Sequence, residues 1–108
     1  MAEISKNSKI LYSVTVNINN DVHDEWLYWM QNVHMPEVMQ TGMFIENRMC
    51  RLIGDEDSGG VTYSMQYVCA NIDKYYEYQD KFAPNLQAET LKKFKDKFVA
   101  FRTLLEII

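Results

Sequence analysis

Apart from Leu11, apolar and polar side chains alternate from Ile10 to Ile18, and this pattern constrains the fold more than any other feature of the chain. Successive side chains of a strand point to opposite faces, so the alternation predicts a β-strand with one strongly apolar face. Three further strands are predicted over Met43–Ile53, Val61–Ala70 and Phe98–Ile108. A sheet with one apolar face needs a second layer to cover it.

The segment after the first strand has the spacing of an amphipathic helix. Its apolar residues recur at i, i+4, i+7, i+8 and i+11, which are Val22, Trp26, Trp29, Met30 and Val33. Pro36 lacks the N–H that would pair with the carbonyl of Asn32, so the helix is expected to break and to restart with Pro36 at a first helical position. His34 then lies at the break.

A second helical region is predicted after Asn71, which is a suitable N-cap residue. Its inward side chains are predicted to be Ile72, Tyr75, Tyr76 and Phe82, and a short helix follows from Asn85 to Phe94. The element order is therefore βαββαβ. This order predicts an α+β, ferredoxin-like domain with a four-stranded antiparallel sheet and helices on one face.

Length and charge limit the other possibilities. With 108 residues the chain is expected to form one domain over residues 10–108, preceded by a flexible tail over residues 1–9. No apolar run approaches the ~20 residues of a membrane span, and the polar N-terminus indicates a cytoplasmic protein. The formal charge of −4 disfavours nucleic acid and anionic lipid as partners.

Cysteine and acidic residues do not predict a bridge or a metal site. Cys50 and Cys69 are expected on adjacent strands about five residues out of register, which is beyond disulfide reach. The acidic segment Gly54–Gly60 lacks the ligand spacing of a calcium loop, so it is interpreted as a hairpin turn. No metal and no cofactor are predicted.

The sheet face opposite the helices is predicted to be mixed in character, too apolar for solvent and too polar for a dry core. Its predicted members are Leu11, Ser13, Thr15, Phe44, Glu46, Arg48, Leu52, Ser64, Gln66, Val68, Phe98, Arg102 and Leu104. A second copy of the sheet would cover such a face, so we predict a symmetric homodimer. Its predicted interface residues are Glu46, Arg48, Gln66 and Arg102.

Four runs of the sequence resemble a family of short bacterial proteins of unknown function in the dimeric α/β-barrel superfamily: HDEWLYWMQNVHMPEVMQTGMF, GGVTYSMQYVC, YEYQDKFAPNLQ and DKFVAFRTLLEI. The resemblance implies the fold and the dimer. The wider superfamily includes cofactor-independent monooxygenases, haem-degrading enzymes, lactone isomerases and members without known catalysis, so it implies no single reaction.

The resemblance also indicates candidate site residues. Trp26, His34, Pro36, Thr41, Gly42 and Phe44 hold positions similar to those of the first-helix region in several superfamily members. In some relatives a histidine or aromatic residue at the helix break points into a cleft between helices and sheet. His34 is therefore the candidate catalytic and ligand-binding residue, and the other candidate ligand-binding residues are Tyr12, Trp29, Tyr63 and Tyr67.

Two functional hypotheses remain. In the first, the cleft binds a small, apolar or aromatic molecule and processes it, if at all, by oxygenase- or isomerase-like chemistry without a cofactor. In the second, the chain is a non-catalytic homodimeric interaction module whose aromatic residues are only core. An RNA-recognition domain shares the element order, but its exposed strand aromatics would here be Tyr12, Tyr63 and Tyr67, which lie on the apolar face. Hydrolase and nucleotide-binding motifs are absent from the sequence.

Overall fold

The structure is a computed structural model that describes residues 3–54 and 58–108. Its strands are β1 (Ile10–Asn19), β2 (Glu46–Arg51), β3 (Gly60–Cys69) and β4 (Phe98–Glu106). Its helices are α1 (His23–Trp29), α2 (Met35–Gln40), α3 (Ile72–Lys81) and α4 (Ala83–Phe94). A short 3-10 turn (Asn20–Val22) precedes α1, and a π-helical segment (Met30–His34) joins α1 to α2.

The strands form one antiparallel sheet in the order β2-β3-β1-β4. The central strand β1 pairs with β3 from Ile10, opposite Cys69, to Asn19, opposite Gly60. On its other side β1 pairs with β4, so that β2 and β4 are the edge strands. The helices cover one face of this sheet. The structure thus confirms the predicted βαββαβ, ferredoxin-like arrangement.

The hydrophobic core lies between this face and the helices. The inward residues of β1 and β3 are those that the alternation predicts, because both strands have neighbours on each side and one buried face. Trp26 is fully buried, and its ring centroid lies 5.2 Å from that of Tyr63. The other fully or nearly fully buried core residues include Ile10, Ile18, Val38, Met65, Cys69 and Phe94.

The helical region between β1 and β2 changes its winding where the sequence predicts a break. The N–H of Met35 donates to the carbonyl of Met30, five residues earlier, which is the hydrogen bond of a π-helix. Pro36 is the second residue of α2, and His34 is the last residue of the π-helical segment. The winding changes at the predicted place, but the backbone stays helical through it, so a π-helical segment replaces the predicted break and restart.

The predicted orientation of β4 is wrong. Val14 lies opposite Arg102 and Val16 opposite Ala100, so Arg102 shares the helix-covered face. Val99 and Phe101 therefore lie on the open face, together with Leu105, whereas Phe98 and Leu104 do not. The β4 side chains that point to one face and those that point to the other are both mainly apolar. Because a shift of one residue exchanges the two faces, alternation alone could not assign them.

Two aromatic side chains also differ from their predicted positions. Phe44 precedes β2, which begins only at Glu46, and it is 5% exposed on the helix side of the sheet. Its ring packs against Tyr78, with centroids 4.8 Å apart. On α3, Tyr78 is buried and Tyr76 is 58% exposed, so the inward stripe continues through Tyr78. Tyr78 lies three residues after Tyr75, a helical neighbour, which is why the stripe can pass through it.

Both cysteines are free, as the predicted register requires. Cys50 lies opposite Ser64, five positions from Cys69 along β3. Cys50 is exposed on β2 and Cys69 is buried in the core. The large separation along the strand is therefore confirmed.

Two predicted segments are only partly described. Asp55, Glu56 and Asp57 lie outside the described residues, so the hairpin turn around them stays a prediction. Before β1, the N–H of Ser5 donates to Oε2 of Glu106 at 3.1 Å, and the N–H of Ile107 donates to the carbonyl of Lys9. These bonds join the residues before β1 to the end of β4, and the flexibility of residues 1–9 stays a prediction.

Candidate functional site

A cavity of about 250 Å³ lies between the helices and the sheet, next to β4. Strands β1, β3 and β4 form one wall, and α1, the π-helical segment, α2, α3 and α4 form the other. Most of the lining is apolar and includes Val16, Trp26, Met30, Val38, Leu86 and Phe98. Since protein interiors are close-packed, a cavity of this size is more than a packing defect.

Arg102 contributes the only charged side chain among the described residues that line the cavity. Its Nε donates a hydrogen bond to Oη of Tyr12 at 3.1 Å. Within residues 3–54 and 58–108, no carboxylate forms an ion pair with it. A guanidinium without a counter-ion therefore lies beside an apolar cavity.

Tyr12, which contacts this guanidinium, packs against two further tyrosines. The ring centroid of Tyr12 lies 6.2 Å from that of Tyr67 and 6.1 Å from that of Tyr78. Burial, reinforced by the neighbouring phenols, raises the pKa of Tyr67 and of Tyr78 above the usual tyrosine value. Both phenols stay protonated at neutral pH, so their hydroxyl groups can donate hydrogen bonds to a bound molecule.

His34 lines the cavity from the helix side. Its ring stacks on Trp29 with centroids 4.9 Å apart, and Trp29 in turn contacts Phe94. Burial lowers the pKa of His34 from 6.5 to about 4, so the imidazole is neutral at pH 7. Nδ1 is buried and has no hydrogen-bond partner among the described residues. An unpartnered buried nitrogen costs free energy of folding.

The structure brings together three of the five candidate ligand-binding residues, Tyr12, His34 and Tyr67. Trp29 lies behind His34 and does not line the cavity. Tyr63 lies elsewhere in the core, where its hydroxyl is 2.7 Å from Nε2 of His23.

The sequence interpretation missed four polar lining residues, which are Tyr78, Gln87, Thr90 and Arg102. Tyr78 lies three residues after Tyr75, so helical spacing could have indicated that it faces inward. Gln87 and Thr90 lie on α4 beside Leu86 and Leu91, so the same spacing could have indicated that they border the cavity. No signal in the sequence assigns Arg102 to this face, because the register of β4 decides it.

The open face of the sheet carries a second candidate surface. Of the predicted interface residues, Glu46, Arg48 and Gln66 lie on it, and Nε of Arg48 donates to Oε1 of Gln66 at 2.6 Å. Arg102 does not lie there, so its assignment to this face is wrong. The face also exposes large apolar side chains on β4: Val99 at 71%, Phe101 at 63% and Leu105 at 47%.

Neither a metal centre nor a membrane span emerges from the described residues. Within residues 3–54 and 58–108, no three histidine, cysteine or acidic side chains are grouped so that they could hold a metal ion. No helix in this part of the chain is long and apolar enough to cross a bilayer. Among the described residues, the polar side chains that line the cavity are one arginine, one histidine, three tyrosines, one glutamine and one threonine.

Solved structures similar to this chain share its fold at low sequence identity. A conserved protein of unknown function from Bacteroides thetaiotaomicron matches with a TM-score of 0.69 and 11% identity, over 94% of this chain and 99% of that one. A dimeric ferredoxin-like protein from an uncultured marine organism matches with a TM-score of 0.60 and 12% identity, over 94% and 96%. At these identities the matches show the fold alone.

A third similar structure is a NIPSNAP family protein with unknown function from Agrobacterium tumefaciens. It matches with a TM-score of 0.62 and 13% identity, over 98% of this chain and 94% of that one. A comparison with curated proteins finds no match. A family model does match residues 9–108, which include every strand and helix described above. The chain therefore belongs to the DUF4286 family, a domain of unknown function.

Proposed function

We propose that the cavity beside β4 binds a small, mostly apolar molecule. The observation that carries this proposal is a cavity of about 250 Å³ whose mainly apolar lining also carries a few polar groups, among them Arg102, His34 and Tyr12. Small-molecule sites combine an apolar lining with a few polar groups that orient the ligand. The volume of about 250 Å³ lies just below the ~300 Å³ at which such sites usually begin, so the ligand is small.

A variant that fills the cavity tests this proposal. Ala100 lines the cavity from the edge strand β4, so Ala100→Phe places a ring in the ligand volume. We expect the wild-type protein to bind naphthylacetamide saturably, followed by tryptophan fluorescence because Trp26 lines the cavity. We expect Ala100→Phe to weaken this binding by about tenfold or more, since the volume is no longer available.

The matched control is Ala88→Phe, which adds the same ring at an exposed position of α4. It should bind the probe as the wild-type protein does. Equal affinity of wild type and Ala100→Phe for the probe would contradict the cavity proposal.

We further propose that the chain forms a symmetric homodimer through the open sheet face. The exposed side chains of Val99, Phe101 and Leu105 support it, because contiguous apolar patches of this kind mark interaction surfaces. Glu46 and Arg48 lie on the same face, and a two-fold axis can bring them opposite each other. The dimeric ferredoxin-like protein with the same fold is consistent with this arrangement. The dimer is compatible with both functional hypotheses, including the one in which the chain is a non-catalytic interaction module.

Phe101→Glu is expected to convert the dimer into a monomer. It places a carboxylate in the centre of the proposed interface, where the charge would lose its hydration without gaining a partner. Light scattering after size-exclusion chromatography at micromolar concentration measures the change. Tyr76→Glu is the control, since Tyr76 has a similar exposure of 58% but lies on α3. A monomeric wild-type protein, or a dimeric Phe101→Glu variant, would disprove this interface.

A further inference from the structure

We propose that the ligand of the cavity is a small carboxylic acid whose carboxylate is bound by Arg102 and whose apolar body lies against Trp26, Met30 and Phe98. This inference depends on the cavity proposal above and names the class of molecule. It follows from three features of the site: an unpaired cation, hydrogen-bond donors beside it, and an apolar remainder.

The first feature is the charge of the cavity. Arg102 is the only charged side chain among its described lining residues, and His34 is neutral at pH 7. No carboxylate in the described part of the chain pairs with this guanidinium. Arg102 is itself exposed, so an anion that enters the cavity can pair with it without displacing an existing partner. The cavity therefore favours a negatively charged ligand over a neutral one.

The second feature is the orientation of the guanidinium. The hydrogen bond from Nε to Oη of Tyr12 fixes one edge of the group, and within the described residues its terminal nitrogens make no hydrogen bond. These two nitrogens form a planar fork that matches the two oxygens of a carboxylate. The phenols of Tyr67 and Tyr78 supply further donors beside Tyr12. A set composed of donors suits an acceptor-only group such as a carboxylate.

The third feature is the apolar remainder of the cavity. Val16 lies opposite Ala100 in the sheet, next to the Val14–Arg102 pair, and Trp26 and Met30 face them from the helices. These side chains are mostly hydrocarbon, and the indole N–H of Trp26 is the one strong hydrogen-bond donor among them. The small volume restricts the apolar body of the ligand to about one or two rings.

Paired acid and amide probes test the inference. Naphthylacetate and naphthylacetamide have nearly the same shape and differ in charge, so their ratio of affinities isolates the role of the anion. By isothermal titration calorimetry, we expect the wild-type protein to bind naphthylacetate at least about tenfold more tightly than the amide. Arg102→Met removes the charge, keeps most of the side-chain volume, and should make the two affinities equal.

Two further variants complete the test. Arg51→Met removes an arginine from β2 outside the cavity and should keep the preference for the acid. Arg102→Lys retains the charge without the planar fork and should keep only part of the preference, which gives a second measurement if Arg102→Met folds poorly. Equal binding of acid and amide by the wild-type protein would overturn the carboxylate inference and leave the cavity proposal standing. Binding of neither probe would overturn both.

Discussion

Replacing Trp26 with alanine is expected to lower the free energy of unfolding by about 3–5 kcal/mol. Trp26 is fully buried, contacts Tyr63 and forms part of the cavity wall. Its removal loses the largest buried side chain of α1 and enlarges a cavity that the surrounding side chains already leave open. Since a site next to an existing cavity cannot collapse easily, the loss should lie at the upper end of this range. Urea denaturation monitored by circular dichroism measures it.

The control for this prediction is Tyr28→Ala on the same helix. Tyr28 is 69% exposed, so its truncation removes little buried area and should change the free energy of unfolding by no more than about 0.5 kcal/mol. The two variants remove aromatic rings from the same helix. Similar losses of stability in both would show that Trp26 does not contribute to the core as described.

Acidification is expected to destabilise the protein through His34. A histidine in water has a pKa of 6.5. In the folded protein the pKa of His34 is about 4, because burial disfavours the charged imidazole. Between these two values the unfolded chain binds a proton that the folded chain does not. Above pH 6.5 His34 is therefore neutral in both states and costs no stability. As the pH falls from 6.5 toward 4, the free energy of unfolding decreases because only the unfolded chain takes up the proton.

The size of this loss follows from the difference in pKa. At 1.36 kcal/mol per pKa unit, and allowing for residual contact of the ring with solvent, it amounts to about 2–3 kcal/mol. Unfolding by urea at a series of pH values from about 7 to about 4.5 measures it.

His34→Phe isolates the histidine from other titrating groups. Phenylalanine keeps the stack on Trp29 but cannot be protonated, so the variant should be less sensitive to pH by the amount given above. Hydrogen bonds from Lys97 to Asp21 and from Ser8 and Ser5 to Glu106 lower the pKa of those carboxyl groups, and both proteins lose these contributions alike in acid. Parallel pH profiles of wild type and His34→Phe would show that His34 is not the group responsible.

The fold could be predicted because its central strands carry a clear signal. β1 and β3 each have one buried face along their full length, so their alternation reports the face directly. The N-cap Asn71 and the position of Pro36 then indicate where α3 and α2 begin. The side chain of Asn71 accepts a hydrogen bond from the N–H of Lys74 at 3.0 Å, as an N-cap residue should.

The edge strands could not be predicted as well, since their environment is not encoded locally. On β4, Phe101 and Ala100 are both apolar, but one is exposed and the other lines the cavity. The choice depends on pairing with Val16, which is more than eighty residues away in the sequence. Phe44 lies outside any strand, so no periodicity assigns its side chain to a face.

The candidate site also contains both residues that the sequence indicates and a residue that it does not. Tyr12 and Tyr67 lie on strands whose buried face is evident from the sequence, and the family resemblance of the first-helix region indicates His34. Arg102 could not, because its position depends on the register of β4. A single polar residue within an apolar strand gives no local sign of whether it faces a cavity or solvent.

The π-helical segment Met30–His34 is a place where the chain can change in length. Its wider turn holds one residue more than an α-helical turn over the same distance, so the extra residue is absorbed within the segment. One residue added to or removed from a helix that stays α-helical would instead turn everything after it by about 100°. Deletion of one residue within the segment is therefore expected to restore the α-helical winding while Trp26 stays in the core and Val38 stays in the cavity wall.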